Sequence, residues 1–474
     1  MTEPPLVVDV DGTLLRSDLL LESFWAALSA HPLRTVLTVA RTVWNRARLK
    51  AALAELGPVD VTTLPIRDEV LDRVTAARAA GRPVILASGS DERLVRALSD
   101  HLGLEEPIGS DGSTNRIGKA KEAALVARFG RGGFDYIGDS AADLPVWQSA
   151  RQAIAVAPGQ ALQHRIAEAG LEPEVVGRSW RRRDLVRGLR PHQWVKNVLL
   201  FLPLIAAHVF EPTAVLRTIL GIAAFSAAAS AVYLINDLLD LEADRQHETK
   251  RKRAFAAGTV PIKVGMATAA GIVVAAFLLA LALSPAFAGV LAVYAATSLA
   301  YSLVLKRRRW IDLGVLSGLY SIRIFAGAVV TGLFMSPWLI AFALAAFLSL
   351  AAVKRLTELA KAEQRGIGDL ALPGREYRGA DRRALLILAT LAAGLAVGIV
   401  LLYTGSETAV LLYPAPIWIP ITATILGVWF ARMIVLGWHG RQDYDPVVFA
   451  LRDPVGLGLA LLALVAMLRG AAIV

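Results

Sequence analysis

Asn236, Asp237, Asp240 and Asp244 form an N-D-x-x-D-x-x-x-D run at the end of an apolar stretch of membrane-spanning length. At about 100° per residue, these four positions share an arc of roughly 100° if one helix carries them. Three carboxylates and an amide then face the same way where lipid meets water. They repel one another unless a cation lies among them. Such oxygen donors suit Mg²⁺, which takes a few carboxylates together with phosphate oxygens and water. The residue types therefore point to a Mg²⁺–diphosphate site. The plain alternative is a solvated acidic helix end. The basic run that starts at Lys250 weighs against it, because it would complement a phosphate.

A second constellation lies at the other end of the chain. Asp9-Val10-Asp11-Gly12-Thr13 follows an apolar run, Leu6–Val10, that reads as a buried strand. Acids at i and i+2 on a strand's carboxyl end place Asp9 as nucleophile and Asp11 as acid/base, with Gly12 turning the chain. A nucleophilic aspartate divides phosphate transfer into two steps through an aspartyl-phosphate. Ser88 closes a second strand, and its hydroxyl could hold a phosphoryl oxygen. A lysine must neutralise that group; Lys121 begins a helix, and Lys119 lies close enough to compete. Gly138-Asp139-Ser140-Ala141-Ala142-Asp143 ends a third strand and brings two more carboxylates to the same edge. Asp9, Asp139 and Asp143 are the metal candidates there, with Mg²⁺ the expected ion.

The elements that must position these groups fall into two classes. Strands Leu6–Val10, Val84–Ala87, Tyr136–Gly138 and Ala153–Ala157, with helical segments between them, make an α/β domain at 1–177. The insertion at 19–65 is helical and basic (Arg34, Arg41, Arg46, Arg48, Lys50) and reads as a cap. Residues 158–177 read as a mixed linker, and 178–196 as a basic interfacial helix with Trp180 and Trp194 as anchors. Residues 197–474 read as an all-α membrane bundle of nine spans, at 197–212, 213–237, 263–283, 286–305, 311–333, 336–356, 384–403, 414–436 and 454–472. The basic loops 238–262, 306–310, 357–383 and 437–453 fall on one side, and the opposite loops near Ser284, Ser336 and Thr404–Leu412 carry no Lys or Arg. The positive-inside rule then places the N-terminal domain and both sites on the cytoplasmic side of the membrane.

Composition narrows the chemistry. The 474 residues contain no cysteine, which excludes disulfides and thiolate sites. The net charge of +10 is concentrated beside apolar spans. It fits topology and membrane lipid better than nucleic acid, which is not an expected partner. The first twenty residues lack the pattern of a signal peptide, so none is expected. Association of copies is compatible with the sequence but not specified by it.

Four ordered motifs, Asp9/Asp11, Ser88, the lysine and Gly-Asp-x-x-x-Asp, resemble the haloacid dehalogenase (HAD) phosphatases over about residues 5–160. Gln193-Trp194-Val195-Lys196-Asn197 and the acidic run resemble the UbiA-type intramembrane prenyltransferase superfamily over 185–474. That superfamily usually has two aspartate-rich motifs. Here the second region offers Tyr301-Ser302-Leu303 and Lys306, then Asp312 with Leu316 four residues on. Arg190-Pro191, the long acidic run, His247 and Thr249-Lys250 make the chain similar to the decaprenyl-phosphate phosphoribosyltransferase branch. Its usual Arg-Pro after the basic run is Arg253-Ala254 here.

The resemblance implies transfer of 5-phosphoribose from phosphoribosyl diphosphate (PRPP) to polyprenyl (decaprenyl) phosphate for arabinan precursors of the cell wall. Asn236, Asp237, Asp240 and Asp244 would hold Mg²⁺, with Asp237 and Asp240 central to catalysis. Lys250, Arg251 and Arg253 would hold donor phosphates; Lys196, Lys306 and Arg323 the lipid phosphate; Lys354 and Arg355 would complete the pocket. The N-terminal domain would remove the 5-phosphate. A conventional prenyltransferase using a prenyl diphosphate, with the N-terminal domain as a docking or independent module, is the rival.

Overall fold

The computed structural model describes residues 3–366, 375–443 and 445–473. Residues 367–374 of the expected 357–383 loop lie outside them. The chain divides into two compact units. One comprises Met1–Leu189 with Tyr233–Ala269, the other Arg190–Val232 with Ala270–Val474.

The first unit is built on a parallel sheet of six strands: β1 Leu6–Val8, β2 Val84–Asp91, β3 Glu105–Ser110, β4 Asp135–Gly138, β5 Gln152–Val156 and β6 Glu174–Val176. Their order is β3-β2-β1-β4-β5-β6. Two strands escape the sequence reading. β3 runs Glu-Glu-Pro-Ile-Gly-Ser, with Pro and Gly tolerated because it is an edge strand. β6 is the opposite edge, so the expected linker at 158–177 is instead a Gln160–Glu168 helix followed by that strand. The central strands β1 and β4 are fully buried. Helices on both faces cover them, so these strands read as short apolar runs.

The insertion forms a three-helix cap: α1 Leu19–Ala30, α2 Pro32–Thr42 and α3 Arg46–Leu56. Asp18 caps α1 by accepting from Leu21 N, and Asn45 caps α3 by accepting from Arg48 N. Three further helices on the sheet follow: α4 Asp68–Ala79, α5 Glu92–Leu102 and α6 Lys119–Phe129.

The second unit is helical. Seven helices of the chain are long and apolar enough to cross a membrane, and a bent pair raises the count to eight, among the described residues. The protein is therefore a multi-pass membrane protein, with fewer long spans than the nine expected. The difference lies at two places. The 197–212 segment folds as a 3₁₀ stretch, Pro191–Phe201, and a short helix, Leu202–Ala207, ended by His208 at φ +55°. At the C-terminal end, Pro446–Arg452 and Pro454–Gly470 meet at 86°. The basic interfacial helix expected at 178–196 shrinks to Arg182–Gly188, since Arg190 turns to φ +53°.

Close backbone approach packs the 3₁₀ stretch against the Ile311–Thr331 helix. A Cβ on Gly327 would lie 2.1 Å from the Leu200 carbonyl oxygen. Gly318 on the same helix has open space around it. We expect Gly327→Ala to destabilise the detergent-solubilised protein by about 1–3 kcal/mol. Gly318→Ala should be neutral or stabilise by up to about 1 kcal/mol. Thermal melts of the two variants check the contrast.

Candidate active sites

Sheet register builds the first site. Val8 of β1 pairs with Ile137 of β4, and the Asp9 amide donates to the Ile137 carbonyl at 2.9 Å. Asp9 and Asp139 thus leave neighbouring parallel strands at the same carboxyl edge, where open α/β sheets bind ligands. Gly12 then turns the chain at φ +81°, and a Cβ there would meet Asp139 Oδ2 at 2.2 Å. Both the conformation and the space demand glycine.

Ligand atoms of Asp9, Asp139 and Asp143 lie within 4.8 Å of one another. Lys121 Nζ donates to Asp9 Oδ1 at 2.6 Å, Tyr136 Oη at 2.8 Å and Asp143 Oδ1 at 3.2 Å. Lys119 is exposed, two residues earlier on the same helix. Of the two lysines, Lys121 is therefore the one within reach of the carboxylates. Asp143 Oδ2 accepts from the Ser140 amide and hydroxyl. Both Asp143 oxygens are thus engaged in fixing Lys121 and the turn. Thr13 Oγ1 lies 3.3 Å from Asp9 Oδ2 and Asp139 Oδ1.

Electrostatics follow from burial. Burial pushes the Asp9 carboxyl well up; Lys121 opposes the shift, while Asp143, Asp139 and Asp11 add to it. Asp139 is pushed up to about 7 by burial and by Asp143. For Lys121, burial works against the charge, but Asp9 and Asp143 outweigh it and hold the ammonium above its usual range. Three converging hard oxygens, two of them on carboxyls that burial and neighbouring charge push up, fit a divalent cation. Asp9 and Asp139, whose oxygens are the less engaged, are the residues best placed to hold it.

Asp11 is held differently. Its Oδ1 accepts from the Leu19 amide at 2.7 Å, and its Oδ2 from Ser88 Oγ at 2.8 Å and Ser90 Oγ at 2.6 Å. Burial raises its carboxyl, which suits a group that must donate a proton. Ser88 is fully buried, and its hydroxyl is spent on Asp11 instead of facing a phosphoryl group. Ser90 and Gly89 line the cavity in its place. The sequence reading missed Ser90, although its i+2 spacing from Ser88 on β2 was available. The cavity measures about 990 Å³, and cap residues Arg46 and Lys50, together with Arg16 and Arg67, are among the cations that line it beside the sheet-edge acids. Residues 258–259 and 261–263 form part of its wall.

The acidic run belongs to this same unit. Here the one-helix expectation needs correction. The Pro212–Leu239 helix stops before Asp240, which becomes the N-cap of a new helix, Leu241–Gln246. Helical hydrogen bonds still cross the break, from Asp240 N to Asn236 O and from Asp244 N to Asp240 O. Asp237, Asp240 and Asp244 do not converge as tightly as the sheet-edge acids among the described residues. Arg253 bridges two of them, donating to Asp237 Oδ1 at 3.1 Å and Asp244 Oδ2 at 2.7 Å. Asn236 Oδ1 is buried and accepts no hydrogen bond. Asn236, next to Asp237 in sequence, thus carries an orphaned amide oxygen of the hard-donor type that suits Mg²⁺. Lys250 and Arg251 are exposed on the turn that follows, and His247 Nδ1 caps that loop by accepting from the Thr249 amide at 3.2 Å.

Arg245, between the acids, faces the cap. Its two terminal nitrogens grip Glu22 of α1 at 3.1 and 2.5 Å, and both side chains are buried. Ser17 also donates to Glu22. Three residues before Glu22 on α1, the Leu19 amide binds Asp11. The basic loop is therefore tied, through one helix turn, to the acid/base candidate.

In the second unit the expected phosphate-binding cations have protein partners. Lys196 pairs with Asp445, which also accepts from Tyr320 Oη at 3.0 Å. Arg323 donates to Asn197 Oδ1, the Leu319 carbonyl and Tyr294 Oη. Arg355 is wholly buried and spends its five N–H groups on Asp312, Glu358 and Tyr301. All its donors are engaged by protein, so the substrate-binding role expected of Arg355 would require it to release some of these partners. Lys354 beside it is half-buried, as is Lys306. Asp312, the remnant of a second acidic motif, is also gripped by Arg375 at 3.3 Å.

The model of the UbiA prenyltransferase family matches residues 198–452, and that of the haloacid dehalogenase-like hydrolases matches residues 6–148. Uncharacterized protein y4nM of Sinorhizobium fredii is 38% identical over 454 residues, covering 95% of this chain and 87% of that protein. Nodulation protein NoeC of Azorhizobium caulinodans is 32% identical over 277 residues, or 57% of this chain and 89% of that protein. Decaprenyl-phosphate phosphoribosyltransferase of Mycobacterium tuberculosis is 36% identical over 289 residues, or 59% of this chain and 90% of that protein.

Removing one partner of the Glu22–Arg245 pair leaves a buried charge alone. We expect Arg245→Ala to cost about 3–5 kcal/mol and the double variant Glu22→Ala/Arg245→Ala to recover a large part of it. Denaturation of the three variants tests this; equal losses in single and double variants would contradict it. Gly12→Ala should displace Asp139 and cut hydrolysis of p-nitrophenyl phosphate by at least about 100-fold.

Proposed function

The chain belongs to the UbiA prenyltransferase family, with a HAD-like domain in front, and from that premise we propose a bifunctional enzyme. Its membrane part transfers 5-phosphoribose from PRPP to a polyprenyl phosphate. Its HAD-like domain then removes the 5-phosphate, leaving a lipid-linked ribose as precursor of an arabinan donor. Both sites would face the cytoplasm. The observation that carries this reading is the likeness to decaprenyl-phosphate phosphoribosyltransferase along 90% of that protein's length. The state of Asp312 supports it. Locked beneath Arg355 and Arg375, that carboxylate is not offered to a second cation, as a prenyl diphosphate site with two acidic motifs would want.

The transfer step forms a bond from a lipid-phosphate oxygen to the anomeric carbon and breaks the bond from that carbon to pyrophosphate. The nucleophile is already ionised, so no strong base is required. Mg²⁺ on Asn236, Asp237, Asp240 and Asp244 would supply charge neutralisation for the departing pyrophosphate. Arg253 is the group that would pass from the carboxylates to the donor's phosphates, where an arginine fork suits them. Lys250 and Arg251 on the exposed turn would add to that grip. Lys196, Lys306, Arg323 and Lys354 remain the candidates for the lipid phosphate, with Lys196 and Arg323 prepositioned by Asp445 and Asn197.

The hydrolytic step uses the sheet edge. Asp9 attacks the 5-phosphate, and Asp11 gives its proton to the departing sugar oxygen. Water then cleaves the aspartyl-phosphate, with Asp11 as base. Lys121 orients Asp9, and Asp9 and Asp139 would hold Mg²⁺, which supplies Lewis acidity at the phosphoryl oxygens.

Mass spectrometry of lipids made by purified protein from PRPP, Mg²⁺ and polyprenyl phosphate tests both steps. We expect ribosyl lipid without a 5-phosphate from the native chain. Asp9→Asn should accumulate the 5-phosphorylated lipid, and Asp237→Ala/Asp240→Ala should lower total ribosylation by at least about 100-fold. Incorporation of a labelled prenyl diphosphate, with PRPP inert, would move the chain to the conventional prenyltransferase reading.

A further inference from the structure

The cap of the HAD-like domain shows an apolar stripe that its own unit leaves uncovered. On α2, Leu33 is 82% exposed, Val36 59% and Leu37 55%, and Trp44 just beyond the helix is 93% exposed. Their spacing of three, four and seven residues, completed by Ala40 and Val43, confines them to an arc of roughly 120°. Thr35, on the opposite side, is fully buried against the cap. Arg34 and Arg41 border the stripe at about 80–100° from Leu33. Arg46 and Arg48 follow on α3, and residues 23–54 contain no Asp or Glu.

An apolar face this exposed is costly in water and normally has an occupant. Charge decides which. A face edged along one side by arginines and carrying an exposed tryptophan matches the boundary between anionic headgroups and acyl chains. The rest of the chain crosses a membrane, so such a surface is always at hand. The phosphatase cavity adds a second argument. Val43, at the end of the stripe, lines it together with Arg46, Leu49 and Lys50. Its wall also includes Ile262 and Lys263, the first residues of the membrane-length helix Ile262–Leu283. The cavity is thus lined both from the end of the amphipathic cap helix and from the beginning of a membrane-length helix.

We propose that α2 is a membrane-docking helix: its Leu33–Val36–Leu37–Trp44 stripe sits in the headgroup layer of the anionic leaflet, so that the cavity receives phosphate esters presented from the bilayer. The occupant is the lipid surface itself. The docking is independent of which sugar the membrane part transfers. The substrate consequence rests on the phosphatase reading alone.

The absence of cysteine makes depth measurement direct. Leu33→Cys and Leu37→Cys in the full chain are labelled with an environment-sensitive fluorophore in vesicles of phosphatidylethanolamine and phosphatidylglycerol. Ala79→Cys, exposed on α4, is the reference. We expect the α2 labels to be quenched by lipids with a nitroxide on the acyl chain. Aqueous iodide should quench them about fivefold less than the reference. Iodide quenching equal to the reference overturns the proposal. So does shielding from both quenchers, which would mean a second copy or another protein on the stripe. As a second arm, Val36→Glu/Leu37→Glu should slow hydrolysis of a lipid-borne phosphate about tenfold and leave p-nitrophenyl phosphate hydrolysis unchanged. Unchanged rates on both substrates would overturn it.

Discussion

Carboxylates that must converge for phosphate chemistry repel one another, and among the described residues three acidic clusters each hold a cationic side chain of their own. Two like charges about 4 Å apart in a partly buried site cost on the order of 4 kcal/mol. Lys121 answers that cost for Asp9 and Asp143 at the sheet edge. Arg253 answers it for Asp237 and Asp244 in the acidic run. Arg355 answers it for Asp312 and Glu358 between membrane helices. The three arrangements differ in what they leave available. Lys121 leaves the outer oxygens of Asp9 and Asp139 beside a cavity. Arg253 is half-buried and leaves Asn236 Oδ1 unpartnered. Arg355 and Arg375 together engage Asp312, which is wholly buried.

The same constraint explains why the acidic run and the HAD-like domain share one compact unit. Arg245 stands in the middle of the run, where it could have joined the carboxylates. It turns to Glu22 instead and carries the charge balance across to the cap. Glu22 lies one turn beyond the amide that holds Asp11. Arg245 of the acidic run and Asp11, the acid/base candidate, are thus both held by one short helix segment. In the proposed sequence of reactions, the product of the first step is the substrate of the second, and this shared segment gives the two sites a common mechanical reference.

Much of this was legible in the sequence, and the exceptions have physical reasons. β1, β2, β4 and β5 are buried on both faces and announce themselves as apolar runs. β3 and β6 are edge strands with Pro, Gly or Glu, so their composition is that of loops. Asp9, Asp11, Asp139 and Asp143 follow the ends of strands that register then aligns, and Lys121 comes in fixed order between them, on α6. Partner choice was less visible. Nothing within ten residues of Arg355 names Asp312, and nothing near Arg245 names Glu22, because those pairs form between distant segments. Helix geometry alone also failed to show the break at Asp240, where Asn236 and Asp237 finish one helix and Asp244 belongs to the next.

The central claim is that one chain moves a ribose to a lipid and strips its phosphate, and PRPP carrying one label on the ribose carbons and another on the 5-phosphorus tests it most directly. Purified protein with Mg²⁺ and polyprenyl phosphate should send the carbon label into the lipid and the phosphorus label into inorganic phosphate, in equal amounts. Both labels staying together, in lipid or in water, would contradict the account.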